Sequence, residues 1–154
     1  MELSEILKPE AVKVFSAASS KKRLFQEFGE LAGSCYDMSA SGVVDALLER
    51  ESLGPTGVGH GVALPHARLT GLTEVVGAFV FLEKPLDFGA VDRQPVDIAF
   101  ALFAPEESGV EHLKALALVS RTLRDASLCL KLRANPEANK LYTLLTEPNS
   151  VQAA

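Results

Sequence analysis

The sequence predicts a layered α/β or α+β domain, and three observations carry that prediction. Two β-rich apolar runs, residues 75–82 and 96–104, have few polar interruptions and read as strands buried on both faces. Apolar residues at helical spacing precede and follow these runs. The chain has 154 residues, of which 47% are hydrophobic and 23% charged, an ordinary composition for one globular domain. A chain of this length buries about two-thirds of its unfolded surface, so it folds without disulfides or a structural metal.

The elements follow in chain order. Residues 3–15 mix short apolar runs with Pro9 and read as short strands and a turn. Ser20 caps a helix whose Leu24, Phe28, Leu31 and Ala32 sit at i, i+4, i+7 and i+8, with Gly33 as its expected stop. A second helix spans residues 39–52, with Val43, Leu47 and Leu48 inward, Glu49, Arg50 and Glu51 in its last turn, and Gly54–Pro55 ending it. The glycine-rich stretch 54–66 reads GPTGVGHGVALPH, and its four glycines permit unusual backbone angles and close backbone approach. Between the two predicted strands, Pro85 and Gly89 signal turns. Ser108 and Glu111 form an S-x-x-E capping box that opens a helix with Leu113, Leu116, Ala117 and Leu123 at helical spacing. A final helix covers residues 137–145, so the domain is expected over 1–147 and a frayed tail over 148–154.

Composition excludes several functions. Acidic residues outnumber basic ones 20 to 15, and the net charge of −5 disfavours nucleic-acid binding. The N-terminus, MELSEILKPE, has no basic segment followed by an apolar one, so no secretory signal is expected. No apolar run approaches the ~20 residues of a membrane-spanning helix, so no membrane insertion and a cytoplasmic location are expected. Cys35 and Cys129 lack C-x-x-C spacing and read as reduced, packed thiols. No Walker A sequence, dinucleotide fingerprint or G-x-S-x-G elbow occurs, which removes nucleotide-dependent kinase and ordinary esterase chemistry.

The three histidines carry the remaining chemistry. His66 follows a short apolar run and Pro65, which fixes its own φ and biases Leu64 toward extended backbone. A histidine aimed rigidly beside glycine-lined backbone is a candidate nucleophile; the alternative is a turn histidine with a structural hydrogen bond. His112 falls in the first turn of its helix, where unpaired N–H groups and the helix dipole favour anions. A neutral imidazole there suits an oxyanion such as phosphate, although an inconsequential exposed histidine also fits. Arg50 is either a solvated cation at a helix C-terminus or a forked phosphate donor, and Arg68 has the same two readings. His60 and His66 find no third ligand at metal spacing, so no metal is expected.

Taken together, residues 51–67, ESLGPTGVGHGVALPHA, resemble the active-site segment of enzyme IIA domains of the bacterial phosphoenolpyruvate:sugar phosphotransferase system, fructose/mannitol/nitrogen type. Arg50 and His112 fall at matching distances on either side of His66, and the resemblance spans residues 3 to about 145. Residues 92–103, DRQPVDIAFALF, look most like the nitrogen-regulatory branch, and a lone domain agrees with that branch. His60 and Ala67 depart from the pattern, and His60 leaves a third histidine beside the expected site.

The resemblance implies a mixed β-sheet flanked by helices. It further implies that His66 accepts a phosphoryl group from an HPr-like phosphocarrier, with His112 stabilising the phosphoryl oxygens and Arg50 supplying charge or orientation. Gly57, Gly59 and Gly61 would bring backbone N–H groups close to the phosphate. No cofactor is implied. Partners would be the carrier and regulatory target proteins chosen by phosphorylation state. A sugar-specific IIA that hands phosphate to a IIB partner, and a non-catalytic binding module, remain as alternatives. Downstream targets and the oligomeric state, a homodimer included, stay open.

Overall fold

The computed structural model describes residues 1–147. The tail expected over 148–154 lies outside the described residues.

The chain opens with a single helical turn, α1 (Leu3–Ile6), that runs directly into β1 (Leu7–Phe15). The short strands and turn expected here are therefore one helical turn and one long strand. Pro9 is tolerated because β1 is a sheet edge and its register against the neighbouring strand shifts between Leu7 and Val12.

Helix α2 (Lys21–Tyr36) starts as its sequence predicts, with the Ser20 hydroxyl accepting the Arg23 N–H at 3.1 Å. It does not stop at Gly33. It continues to Asp37, which adopts the left-handed conformation at φ 56° and closes the helix. The glycine that matters more is Gly29, where a Cβ would lie 2.7 Å from the Ala40 carbonyl oxygen. Its absence lets α2 pack tightly against α3 (Ala40–Ser52), which Ser39 caps through the Gly42 N–H.

The glycine-rich stretch forms a small hairpin, β2 (Gly57–Gly59) and β3 (Val62–Ala63), followed by β4 (His66–Leu69). The two apolar runs become β5 (Val76–Leu86) and β6 (Val96–Pro105), and residues 76–82 and 98–104 are all buried. The mixed sheet has the order β1-β5-β6-β3-β2, with β4 pairing farther along β6. Strands β1 and β5 are parallel, β5 and β6 antiparallel, β6 parallel to both β3 and β4, and β2 antiparallel to β3. Strands buried on both faces require cover, and α2 lies against β1 and β5 while α3 lies against β4.

Three further helices complete the chain: α4 (Val110–Leu123), α5 (Ala126–Ala134) and α6 (Ala138–Thr146). The capping box is corrected. The Ser108 hydroxyl donates to the Pro105 carbonyl at 2.9 Å, and Gly109 is the N-cap, without a side-chain cap. The buried stripe of α4 is His112, Ala115, Val119 and Leu123, with Leu113 and Ala117 outside. Helix α5 was not expected; the Asp125 side chain caps it through the Leu128 N–H. Cys35 and Cys129 are free thiols, half-buried and buried, as expected.

Candidate functional site

The sheet sets the position of His66. Strands β3 and β4 run in line along β6, interrupted only at Leu64–Pro65. Pro65 has no N–H to give, but its carbonyl accepts the Leu102 N–H at 2.9 Å, so the ladder is carried across the break. His66 then opens β4 opposite Leu102. Arg68, two residues on, shares its face of the strand. The last turn of α3 brings Arg50 to this face, and the first turn of α4 brings His112.

These four side chains line one open cleft of about 480 Å³, together with Leu53 and Ala67 among others. The His66 and His112 rings meet edge to face, centroids 5.7 Å apart at 69°. His66 Nδ1 lies 2.9 Å from the Leu64 carbonyl oxygen. A carbonyl only accepts, so the proton is on Nδ1 and the lone pair is on Nε2. Arg50 Nε donates to that Nε2 at 3.3 Å, and Arg50 Nη1 donates to the Gly54 carbonyl at 3.0 Å.

His112 has the opposite arrangement. Arg68 Nε donates to its Nδ1 at 3.4 Å, which places the proton on Nε2. That Nε2 is buried and has no hydrogen-bond partner among the described residues. Burial, then the neighbouring His66 and Arg68, hold the His112 pKa below the ordinary value of 6.5, so the ring stays neutral. A neutral donor that is buried without a partner at the wall of a cleft is suited to a ligand oxygen.

The structure therefore brings Arg50, His66 and His112 together, and adds Arg68. It does not bring the three glycines to this cleft. Gly57 is closed in by Ala90, Gly59 faces Asp92, and Gly61 faces Arg133 and Asp97. Their small size serves the β2–β3 hairpin. His60, at φ 58°, is not beside the cleft either; it lines a separate cavity with Arg133 and Leu130. Among the described residues no cluster of three or more His, Cys, Asp or Glu could hold a metal ion. No described helix is long and apolar enough to cross a membrane.

The family model of the phosphoenolpyruvate-dependent sugar phosphotransferase system, EIIA 2, matches residues 5–147. The chain belongs to that family. This EIIA 2 domain is 41% identical over 153 residues to a nitrogen regulatory protein of Bradyrhizobium diazoefficiens, covering 99% of this chain and all of the relative. It superposes on the crystal structure of the nitrogen regulatory protein IIA-Ntr of Neisseria meningitidis with a TM-score of 0.85. That pair is 35% identical and covers 93% of this chain and 98% of the other. IIA mannitol of Escherichia coli has the same fold, with a TM-score of 0.74 at 21% identity over 90% of this chain and 97% of that one. The EIIA 2 domain is thus a phosphotransferase-system component of the type found in nitrogen regulatory proteins, with the expected mixed sheet flanked by helices.

Sequence reasoning missed what holds these side chains. The Leu64 carbonyl leaves no mark in a sequence, since any residue there has one. Glu51 and Thr56 were legible only as parts of the matched segment. Arg68 has two readings in the sequence, solvated cation or phosphate donor, and alternation along the strand puts position 68 on the face of position 66.

Proposed function

We propose that His66 Nε2 accepts a phosphoryl group from an HPr-like phosphocarrier protein of the nitrogen branch, and that the phosphorylation state then selects which regulatory targets are bound. The observation that supports this best is the state of the His66 ring: Nδ1–H engaged by Leu64, and an unprotonated Nε2 at the cleft wall whose lone pair accepts from Arg50 Nε until that bond is released for attack. High-coverage relatives that bear nitrogen-regulatory names favour this branch over a sugar-specific one.

In the step, the Nε2 lone pair forms the new N–P bond while the bond from phosphorus to the carrier histidine breaks. The electron pair of that bond returns to the carrier ring. The Nδ1 proton of His66 stays in place against the Leu64 carbonyl. Phosphoryl transfer runs through a loose transition state whose charge lies on the equatorial oxygens, so positioning and electrostatics do most of the catalysis. His112 donates its partnerless Nε2–H to one oxygen, and the guanidiniums of Arg50 and Arg68 offset the negative charge. Leu53, 80% exposed at the cleft, gives the docking carrier an apolar rim. Phosphorylation adds roughly two negative charges to a protein of net charge −5, altering the local field at that rim.

The test is incubation with phosphoenolpyruvate, enzyme I and the carrier, followed by intact-mass measurement. One added phosphoryl group is expected on the native chain, none on His66→Ala, and slow acceptance on His112→Ala. Normal labelling of His66→Ala would overturn the assignment, and onward transfer to a IIB protein would favour a sugar-specific role. No labelling of the native chain would leave a binding module.

A further inference from the structure

Both nitrogens of the His66 ring are held by groups that trace back to one residue, Glu51. Glu51 lies in the last turn of α3, and its side chain is only 7% exposed. One oxygen accepts the Thr56 N–H at 3.0 Å and the Lys21 ammonium at 2.8 Å, and the other accepts the Thr56 hydroxyl at 2.6 Å. Its own carbonyl accepts the Gly54 N–H at 3.2 Å. These bonds fold residues 53–56 back on the helix end and tie them to the first turn of α2.

Two carbonyls of that loop lead to the nucleophile. The Gly54 carbonyl accepts Arg50 Nη1, and the same guanidinium donates through Nε to His66 Nε2. The Thr56 carbonyl accepts the Leu64 N–H at 2.9 Å, and the Leu64 carbonyl engages His66 Nδ1. Without the Glu51 carboxylate the loop keeps only Arg50, on the Gly54 carbonyl, as a side-chain anchor among the described residues, and Thr56 is free to drift and carry the loop with it. A carbonyl displaced by a fraction of an ångström no longer selects the Nδ1–H tautomer, and the proton that moves to Nε2 blocks attack there.

We infer that Glu51 is a positioning residue for His66: anchored by Thr56 and Lys21, it fixes the ring's tautomer through Leu64 and the aim of Arg50 through Gly54. It touches no reacting atom. The rate consequence rests on the reading of His66 as phosphoryl acceptor; the tautomer consequence does not.

The test compares the native chain with Glu51→Gln, Thr56→Val and Thr56→Ser. Ring 15N NMR reads the His66 tautomer, and phosphoramidate serves as a small phosphoryl donor that needs no protein docking. In that reaction the donor P–N bond breaks, ammonia leaves, and the new bond forms to His66 Nε2. Native His66 should show the Nδ1–H form. Glu51→Gln and Thr56→Val should shift it toward Nε2–H and slow acceptance about tenfold or more, while Thr56→Ser should keep both near native. A folded Glu51→Gln with native tautomer and native rate overturns the inference, even if its melting temperature falls. Should Glu51→Gln fail to fold, the contrast between Thr56→Val and Thr56→Ser decides, and equal behaviour of those two overturns it. If the native chain accepts no phosphoryl group, the proposed function fails and the tautomer comparison still decides the role of Glu51.

Discussion

His66 and His112 sit with ring centroids 5.7 Å apart and carry their protons on opposite nitrogens. His66 commits Nδ1–H to Leu64, and its Nε2 is the acceptor; His112 accepts at Nδ1 from Arg68, and its Nε2 is the donor. In the proposed reaction one ring would form the bond to phosphorus and the other would bind an oxygen of the same group. Two identical side chains acquire different roles solely from which backbone or guanidinium group each meets.

Arg50 tests whether fork geometry or charge alone matters. Its Nε reaches His66 while its Nη1 reaches the Gly54 carbonyl, a span that the single ammonium of lysine cannot reproduce. Arg50→Ala should slow phosphoryl acceptance roughly 10- to 100-fold, the cost of one preorganised donor at a partly open site. Arg50→Lys should recover only a minor part of that loss. Initial rates with labelled carrier measure both, and a native rate in Arg50→Lys would show that charge suffices.

Arg68 should contribute to the titration of His112. Burial is the largest cause of that ring's lowered pKa, followed by His66 and then Arg68. In NMR titration, His112 should titrate below 6.5 in the native chain and move upward in Arg68→Gln, without reaching the ordinary value because burial remains. The sign for stability follows. The unfolded ring takes up its proton near 6.5, before the folded one does, so the fold loses stability as pH falls from there through the folded pKa. Above 6.5 the contribution is constant. Arg68→Gln should narrow this pH window, which thermal melts between about pH 7.5 and pH 5 would reveal.

Local chemistry made some of this structure legible and hid the rest. Ser20 and Ser39 are readable caps because an N-cap bond spans only three residues. The strands at 76–86 and 96–105 are readable because burial on both faces forces a continuous apolar run. Ser108 misled because its hydroxyl closes a turn onto Pro105, so Gly109 and not Ser108 precedes the helix. Asp125 caps a helix whose apolar residues are not confined to one face, Leu130 lying exposed opposite buried Leu128 and Leu132, so no single stripe stands out. Arg50, His66 and His112 could be placed at one site because the family segment carries His66 and the family's spacing assigns Arg50 and His112 on either side of it. The Leu64 carbonyl and the Glu51–Thr56 anchor could not, because they depend on how the backbone turns after α3.

The glycine next to His60 separates a structural role from a phosphate-binding one. Gly61 has φ +78°, and a Cβ there would lie 2.6 Å from Arg133 Nη2 and 3.1 Å from Asp97 Oδ1. Arg133 is held in place: its Nε donates to both Asp97 oxygens, at 3.1 and 2.9 Å, and its Nη2 to the His60 carbonyl at 2.8 Å. Gly61→Ala must accept a strained backbone and displace this pair, at about 1–3 kcal/mol. Chemical denaturation should show that loss, while phosphoryl acceptance per folded molecule stays near native. A slow but fully stable variant would restore the role beside the phosphate that the sequence suggested.

Acid sensitivity should centre on Glu27. This carboxylate is 1% exposed, and it is bonded to Lys13 and, at 2.7 Å, to Arg23. Burial pushes its pKa up, but the hydrogen bonds and charges of Lys13 and Arg23 together outweigh burial and hold it below the ordinary value. A lowered folded pKa means the contribution is fully present above the unfolded value of about 4.3 and is lost as pH falls through the folded one. Glu27→Gln keeps the size and removes the charge. Both cations are more than a third exposed and rehydrate once released, so the variant should cost only about 1–2 kcal/mol at neutral pH. Melting temperatures taken from about pH 6 to pH 3 should then converge, the native chain losing its advantage below pH ~4.3. Parallel curves for the two proteins would place the acid-sensitive carboxylate elsewhere.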